Sequence, residues 1–173
     1  MRRGLKSPAP PQGAEDLVTD ANFWMDAACG GFLEAVFRLP ARFWTTDLIL
    51  EEFRRGNPGP EELVRKGLKK RELNGEEVGY LYELACRYPR PSRHDLSALV
   101  LARSLDAVLV TGDKELRKAA QREGVEVRGT LWVLKQLVDG GIVSKAEACE
   151  ACREMQRKNR RLPWEECWKM FDC

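Results

Sequence analysis

The segment Ala107-Val108-Leu109-Val110-Thr111-Gly112-Asp113 is an apolar run that ends in an aspartate. Four consecutive apolar residues before a polar turn predict a short, buried strand. The segment Leu17-Val18-Thr19-Asp20 has the same order near the start of the chain. Further strands are predicted at 42–45 and 125–127, with helices between them. Short apolar strands that alternate with helices predict an α/β fold, a central parallel sheet flanked by helices.

Two of these strands are followed by aspartates, and ligands of parallel sheets bind at the carboxyl ends of the strands. If both strands are central, the carboxylates of Asp20 and Asp113 meet at that edge. Asp95 opens a predicted helix, with apolar residues four and seven positions later on the same face, so it should point inward. Glu52 lies on the helix after the second strand.

Clustered carboxylates repel each other, which raises their pKa values. Mg²⁺ and Mn²⁺ prefer oxygen ligands and relieve this repulsion. A metal-bound water is a nucleophile for a phosphodiester, and this chemistry needs no histidine. The chain has one histidine, His94, beside Asp95. For each acid taken alone, a cap or a turn after a strand remains an equal alternative.

The remaining candidates receive structural interpretations. Caps, turns or helix surface are predicted for three further aspartates, Asp26, Asp47 and Asp106. Packing in the core or between helices, rather than base stacking, is predicted for the five tryptophans, Trp24, Trp44, Trp132, Trp164 and Trp168.

A chain of 173 residues with 43% hydrophobic residues fits one globular domain. The proline-rich residues 1–16 predict a flexible arm, and residues 17–173 a single domain with a helical extension from about 142. No apolar run approaches the roughly 20 residues needed to span a bilayer. No apolar segment of signal-peptide length follows the basic start. A cytoplasmic location and no membrane partner are therefore expected.

The net charge of +2 gives little indication of a polyanionic partner, but basic residues cluster in two places. One cluster runs from Arg54 to Arg71, a stretch that overlaps a predicted helix at 61–72, and the other from 153 to 161. Such clusters bind phosphates or form solvated helix faces, and both interpretations stay open. Candidate RNA contacts are the arginines closest to the proposed acids, Arg54, Arg55 and Arg93.

The six cysteines include a C-x-x-C pair, Cys149 and Cys152, with Cys167 and Cys173 further on. A zinc site usually places such a pair on a tight turn, whereas this one lies inside a predicted helix. Free thiols in a reducing compartment are therefore predicted ahead of structural zinc.

Four motifs in order resemble those of the PIN-domain family, and within it the VapC-type toxins of toxin–antitoxin pairs. The motifs are Val18-Thr19-Asp20-Ala21-Asn22, Glu52-Phe53-Arg54-Arg55-Gly56, Asp95-Leu96-Ser97-Ala98-Leu99-Val100-Leu101-Ala102 and Leu109-Val110-Thr111-Gly112-Asp113.

The resemblance implies a Rossmann-like PIN fold and an endoribonuclease that depends on Mg²⁺ or Mn²⁺. It implies metal ligation and catalysis by Asp20, Glu52, Asp95 and Asp113, with Glu51 as the alternative to Glu52. It assigns supporting roles to Asn22 and Thr111. It further implies RNA as substrate, a homodimer, and in many members an antitoxin partner.

Two other functions compete with the nuclease. The first is a PIN-like module that binds RNA or a partner without cutting. The second is a phosphotransferase with Asp20 as covalent nucleophile. Such enzymes usually place a second aspartate two residues later, where this chain has Asn22.

Overall fold

The fold is an all-parallel five-stranded sheet in the order β3-β2-β1-β4-β5, seen in a computed structural model that describes residues 14–56 and 58–173. The strands are β1 (Glu15–Thr19), β2 (Ala41–Thr46), β3 (Lys69–Arg71), β4 (Val108–Val110) and β5 (Val127–Arg128). This confirms the predicted parallel α/β fold. The central strand β1 has β2 and β4 as its neighbours, so the chain following β1 lies at the middle of the carboxyl edge.

Ten helices are present in the described residues. They are α1 (Ala21–Cys29), α2 (Leu33–Val36), α3 (Asp47–Glu51), α4 (Pro60–Lys66), α5 (Gly75–Arg87), α6 (Arg93–Ser104), α7 (Lys114–Arg122), α8 (Thr130–Asp139), α9 (Lys145–Arg157) and α10 (Trp164–Phe171). None of these helices is long and apolar enough to cross a membrane. Most of the predicted arm lies outside the described residues, and β1 starts two residues before the expected Leu17.

Helices α1 and α6 cover opposite faces of the sheet. Phe43 and Thr46 are three residues apart in β2, so their side chains leave opposite faces. The Phe43 ring packs edge-on against Trp24 of α1, with ring centroids 5.7 Å apart. The Thr46 hydroxyl lies 2.7 Å from the hydroxyl of Ser97 in α6. Both helices begin near the carboxyl edge, so their first residues can meet there.

The prediction of a helix over residues 61–72 is wrong for its second half. Helix α4 ends at Lys66, because Gly67 has a φ of 127°, which other residues rarely adopt. Lys69–Arg71 then forms β3 and pairs in parallel with β2. Three basic residues give no apolar signal for a strand, but they suit the edge of a sheet, where charge deters pairing with other chains.

The prediction of free thiols is wrong for four of the six cysteines, which form the disulfides Cys149–Cys173 and Cys152–Cys167. Cys149 and Cys152 lie one turn apart on α9 and share a helix face. Helix α10 packs against α9 and brings the other two cysteines to that face. The pairing depends on this helix packing, which the spacing in the sequence does not reveal.

Candidate active site

Asp20 is a fully buried carboxylate where β1 passes into α1. Its Oδ1 accepts a hydrogen bond from the Phe23 backbone N–H at 2.9 Å, and its Oδ2 accepts one from the Thr111 hydroxyl at 2.5 Å. Burial raises the pKa of Asp20 to about 7, and the carboxylates of Asp95 and Asp26 add to the increase. The two hydrogen bonds oppose this increase without cancelling it.

Thr111 links Asp20 to Asp113 across the strand ends. Its hydroxyl donates to Asp20 and accepts a hydrogen bond from the Asp113 backbone N–H at 3.1 Å. Asp113 also caps α7, since its Oδ1 accepts from the Leu116 N–H at 2.8 Å. Arg117, which the sequence did not single out, donates to the Thr111 carbonyl at 2.9 Å. Asp113 is thus a helix cap in the predicted position, next to the residue that holds Asp20.

Asp95 is half-buried and is electrostatically coupled to the other predicted acids. It lies in the first turn of α6, where its N–H donates to the Ser92 hydroxyl at 3.0 Å. Burial raises the pKa of Asp95, and the nearby carboxylates of Asp113 and Glu52 raise it further. Because Asp95 also raises the pKa of Asp20, the structure brings the four predicted acids into one electrostatic group.

Glu52, rather than Glu51, faces this group. Glu52 is exposed at the end of α3, and its Oε1 lies 2.8 Å from Nδ1 of His94, the residue before Asp95. Glu51 instead lies 3.9 Å from Arg54 and lines a separate groove between α3 and α4. The contacts favour Glu52 as the second acidic residue of the site.

The acidic group does not form a preformed metal-binding site. In the part of the chain that the structure describes, no three His, Cys, Asp or Glu side chains are close enough to hold an ion together. No ion pair forms there at Asp20, Asp95 or Asp113. The donors are hard oxygen atoms, and Mg²⁺ commonly binds through one or two carboxylates and keeps several waters. A buried, uncompensated carboxylate beside a second acid fits such an ion.

The assignment of Asp26 to a cap, turn or helix surface is wrong. Asp26 is 6% exposed, and its two oxygens accept from the Thr130 hydroxyl at 2.8 Å and from Arg160 Nε at 2.6 Å. These partners are distant in the sequence, so no local pattern indicates them. Asp47 and Asp106 do lie at a helix start and in a turn. All five tryptophans pack in or against the core, as predicted.

The arginine candidates lie close in the sequence to two of the acids, Glu52 and Asp95. Arg54 and Arg55 are exposed and lie two and three residues after Glu52. Arg93 is exposed at the start of α6, two residues before Asp95, and its guanidinium lies 5.6 Å from the centre of the Tyr82 ring. Cationic side chains in these positions could contact the phosphates of a bound strand.

Residues 17–171 match a family model described as DUF3368, a PIN domain. The chain belongs to the PIN-domain family. Its Asp20, Asp95 and Asp113 lie at the carboxyl edge of the PIN sheet, and Glu52 lies at the end of α3. The resemblance in the four motifs is therefore confirmed at the level of the family.

A curated relative is the RNA-free ribonuclease P of Aeropyrum pernix, 31% identical over 107 residues. The alignment covers 58% of this chain and 50% of the relative, so the chain spans about half the length of that protein. PIN domains are generally nucleases that use divalent metals, and the relative is named a ribonuclease. The comparisons therefore support a nuclease function connected with RNA.

Proposed function

We propose that this PIN domain is an endoribonuclease that depends on Mg²⁺ or Mn²⁺ and hydrolyses phosphodiester bonds at its acidic edge. The observation that carries the proposal is the surroundings of the buried Asp20 carboxylate. Its carboxylate is buried, yet the two hydrogen-bond donors that contact it among the described residues, the Phe23 N–H and the Thr111 hydroxyl, are neutral. A buried charge is costly without an opposite charge, and its raised pKa reflects that cost.

The four acids would have different roles in binding the ion. Asp20 and Asp95 would hold the ion, and Asp113 and Glu52 would complete or orient the site. When bound, the ion supplies an activated water and offsets negative charge on the phosphate. Thr111 and the Phe23 N–H keep the Asp20 carboxylate in one orientation, because each contacts a different oxygen.

The RNA strand would pass the exposed arginines that are close in the sequence to the acids, Arg54 and Arg55 after Glu52 and Arg93 before Asp95. Guanidinium groups bind phosphate oxygens in a fork, so these contacts would position the backbone without reading the sequence.

The proposal also includes a toxin role, with an antitoxin partner and a homodimer. A small antitoxin-like reading frame beside this one and a dimer in light scattering would support it. A monomer with no such neighbour would point to a nuclease outside toxin–antitoxin pairs.

The test is Asp20→Asn, assayed on labelled single-stranded RNA with Mn²⁺. Asn keeps the shape and the helix cap but removes the charge that attracts the ion. We expect cleavage to fall by at least about 100-fold. The matched control is Asp106→Asn, which removes one carboxylate from an exposed turn before β4. Asn tolerates the φ of 50° found at Asp106, so this variant should cleave normally.

Circular dichroism must show that both variants melt as folded proteins. If Asp20→Asn cleaves RNA as well as the wild type does, the nuclease proposal is wrong. The alternative that would then stand is the module that binds RNA or a partner without cutting.

A further inference from the structure

Arg160 brings a positive charge from the C-terminal helices to the helix that begins at Asp20. It lies between α9 and α10, directly after Asn159, whose φ of 59° turns the chain back towards the domain. Its Nε donates to Asp26 at 2.6 Å, and its Nη2 lies 3.4 Å from Oδ1 and 3.5 Å from the carbonyl oxygen of Asn22. Asn22 and Asp26 are four residues apart, so both lie on one face of α1.

The same face of α1 leads to the acidic group. Asn22 lies two residues after Asp20 and is exposed. Asp26 is close enough to Asp20 to raise its pKa. The guanidinium of Arg160 is therefore near the carboxyl edge of the sheet, beside the position where the proposed function places the RNA.

The guanidinium is fixed on one side and open on the other. The carboxylate of Asp26 binds Nε, whereas the contacts of Nη2 with Asn22 are long. The Arg160 side chain is 24% exposed, against 8% for Asp26. An arginine has five N–H donors, so several remain for an oxygen anion that approaches from solvent. Thr130 holds the other oxygen of Asp26 at 2.8 Å, which orients the whole pair.

Stability alone is a weak reason for this arrangement, because a buried ion pair often contributes no more than apolar residues of similar volume. A rigidly held guanidinium with free donors is well suited to a phosphate, since little side-chain entropy is lost on binding. The pair therefore fits a binding role better than a purely structural one.

We propose that Arg160 binds a backbone phosphate of the RNA, so that the C-terminal helices contribute a substrate contact to the active site. This inference rests on the proposed ribonuclease function. Asp26 and Thr130 then act as positioning residues, which orient the guanidinium towards the strand.

The experiment measures binding separately from cleavage. Fluorescence anisotropy gives the Kd for a labelled single-stranded RNA in EDTA, over a range of salt concentrations. We expect Arg160→Gln to weaken binding about tenfold and to reduce the salt dependence by about one phosphate contact. The control Arg161→Gln removes the same charge from an exposed neighbouring residue and should change the Kd less than about twofold.

A second variant tests whether weaker RNA binding results from misfolding. Asp26→Leu/Arg160→Met replaces the ion pair with apolar side chains, which should keep the C-terminal helices docked. If this variant melts like the wild type but binds RNA weakly, the phosphate contact is supported. Wild-type affinity in either Arg160 variant would show that Arg160 only docks the helices.

The outcomes separate this inference from the proposed function. A wild-type protein that binds RNA but does not cut it with Mn²⁺ contradicts the nuclease alone, and the comparison of Kd values still decides the role of Arg160. A wild-type protein that cuts RNA, with Arg160 variants that bind and cut equally well, contradicts this inference alone. Absence of RNA binding by the wild type in EDTA contradicts this inference, whereas the nuclease is decided by cleavage with Mn²⁺.

Discussion

The two ends of helix α1 each have a buried aspartate, and the two aspartates have different surroundings. Asp20, at the N-terminal end, receives hydrogen bonds from a backbone N–H and a threonine hydroxyl. Asp26, near the C-terminal end, receives one from the hydroxyl of Thr130 and another from the guanidinium of Arg160. Burial raises the pKa of both carboxyls. Within the part of the chain that the structure describes, Asp26 has a cation and Asp20 has neutral donors alone.

This difference helps to separate a functional carboxylate from a structural one. A buried acid with its own cation is satisfied within the fold. A buried acid with neutral donors destabilises the ionised protein until a cation arrives from outside, and such groups concentrate at functional sites. The comparison can be tested on each aspartate and on the helices that bring Arg160 to α1.

The largest effect is expected in the pH dependence of the metal-free protein. The pKa of Asp20 is about 7 in the folded state against an ordinary value of 3.8. Below pH 4 the carboxyl is protonated in both states and contributes nothing. Between pH 4 and 7 the unfolded state releases the proton first, so stability falls as the pH rises, by about 4 kcal/mol at most. The Asn side chain of Asp20→Asn does not titrate, so this variant should not lose stability in that way between pH 4 and 7.

Urea denaturation in EDTA at pH 4.5, 6 and 8 measures the effect. The free energy of unfolding of Asp20→Asn, relative to the wild type, should increase across this range. The variant Asp106→Asn should show no such trend, because Asp106 is exposed. A difference between Asp20→Asn and the wild type that does not change with pH would show that Asp20 is adequately compensated, and the contrast with Asp26 would disappear.

Sequence reasoning succeeds where the signal is local. The strands before Asp20 and Asp113 are short apolar runs. Ser92 caps the helix that contains Asp95, and Asp113 itself caps α7. The position of these acids at the carboxyl edge then follows from the parallel topology. The acid of the second motif needed three-dimensional contacts, since only the structure shows that Glu52 faces His94.

The features that escaped the sequence depend on distant partners. Asp26 looks like a surface residue of a helix until Arg160, 134 residues later, is placed against it. The strand Lys69–Arg71 is defined by pairing with β2 and has no apolar pattern of its own. The disulfides require α9 and α10 to pack together. In each case tertiary contacts decide, and no local spacing indicates them.

A smaller effect is expected from reduction of the disulfides, which hold the segment that contains Arg160. Cys152–Cys167 spans 15 residues and encloses this segment. A loop of that length stabilises a protein by about 3 kcal/mol in the chain-entropy model. Reduction should therefore lower the free energy of unfolding by about this amount for this bridge. In hydrogen exchange it should loosen the end of α1 near Asp26 more than the end at Asp20.

Alkylation of the denatured protein followed by mass spectrometry checks the pairing. Without reductant, iodoacetamide should label two cysteines, Cys29 and Cys86, and with reductant all six. Labelling of six cysteines without reductant would restore the free thiols predicted from the sequence. The segment around Arg160 would then be held by packing alone.

The smallest effect is expected at Asp26, where the fold provides its own compensation. Asp26→Leu leaves Arg160 without its carboxylate, which should destabilise the protein by about 2 kcal/mol, below the usual value for a buried pair because Arg160 is partly exposed. The double variant Asp26→Leu/Arg160→Met removes both charges. It should recover about half of that loss, with a remainder of about 1 kcal/mol from the buried Thr130 hydroxyl, which loses its acceptor.

Urea denaturation at pH 8 compares the three proteins, with Lys145→Met as the control. Lys145 pairs with Asp172 at the surface, so breaking that pair should cause no measurable change. If Asp26→Leu alone is as stable as the wild type, Arg160 does not need its carboxylate, and the ion pair adds nothing to the stability of the fold. The uncompensated state of Asp20 would then be no indication of a metal. If instead Asp26→Leu is destabilised while Asp20→Asn is stabilised at the same pH, the two carboxylates differ as the geometry implies, because Asp26 pairs with Arg160 and no cation among residues 14–56 and 58–173 pairs with Asp20.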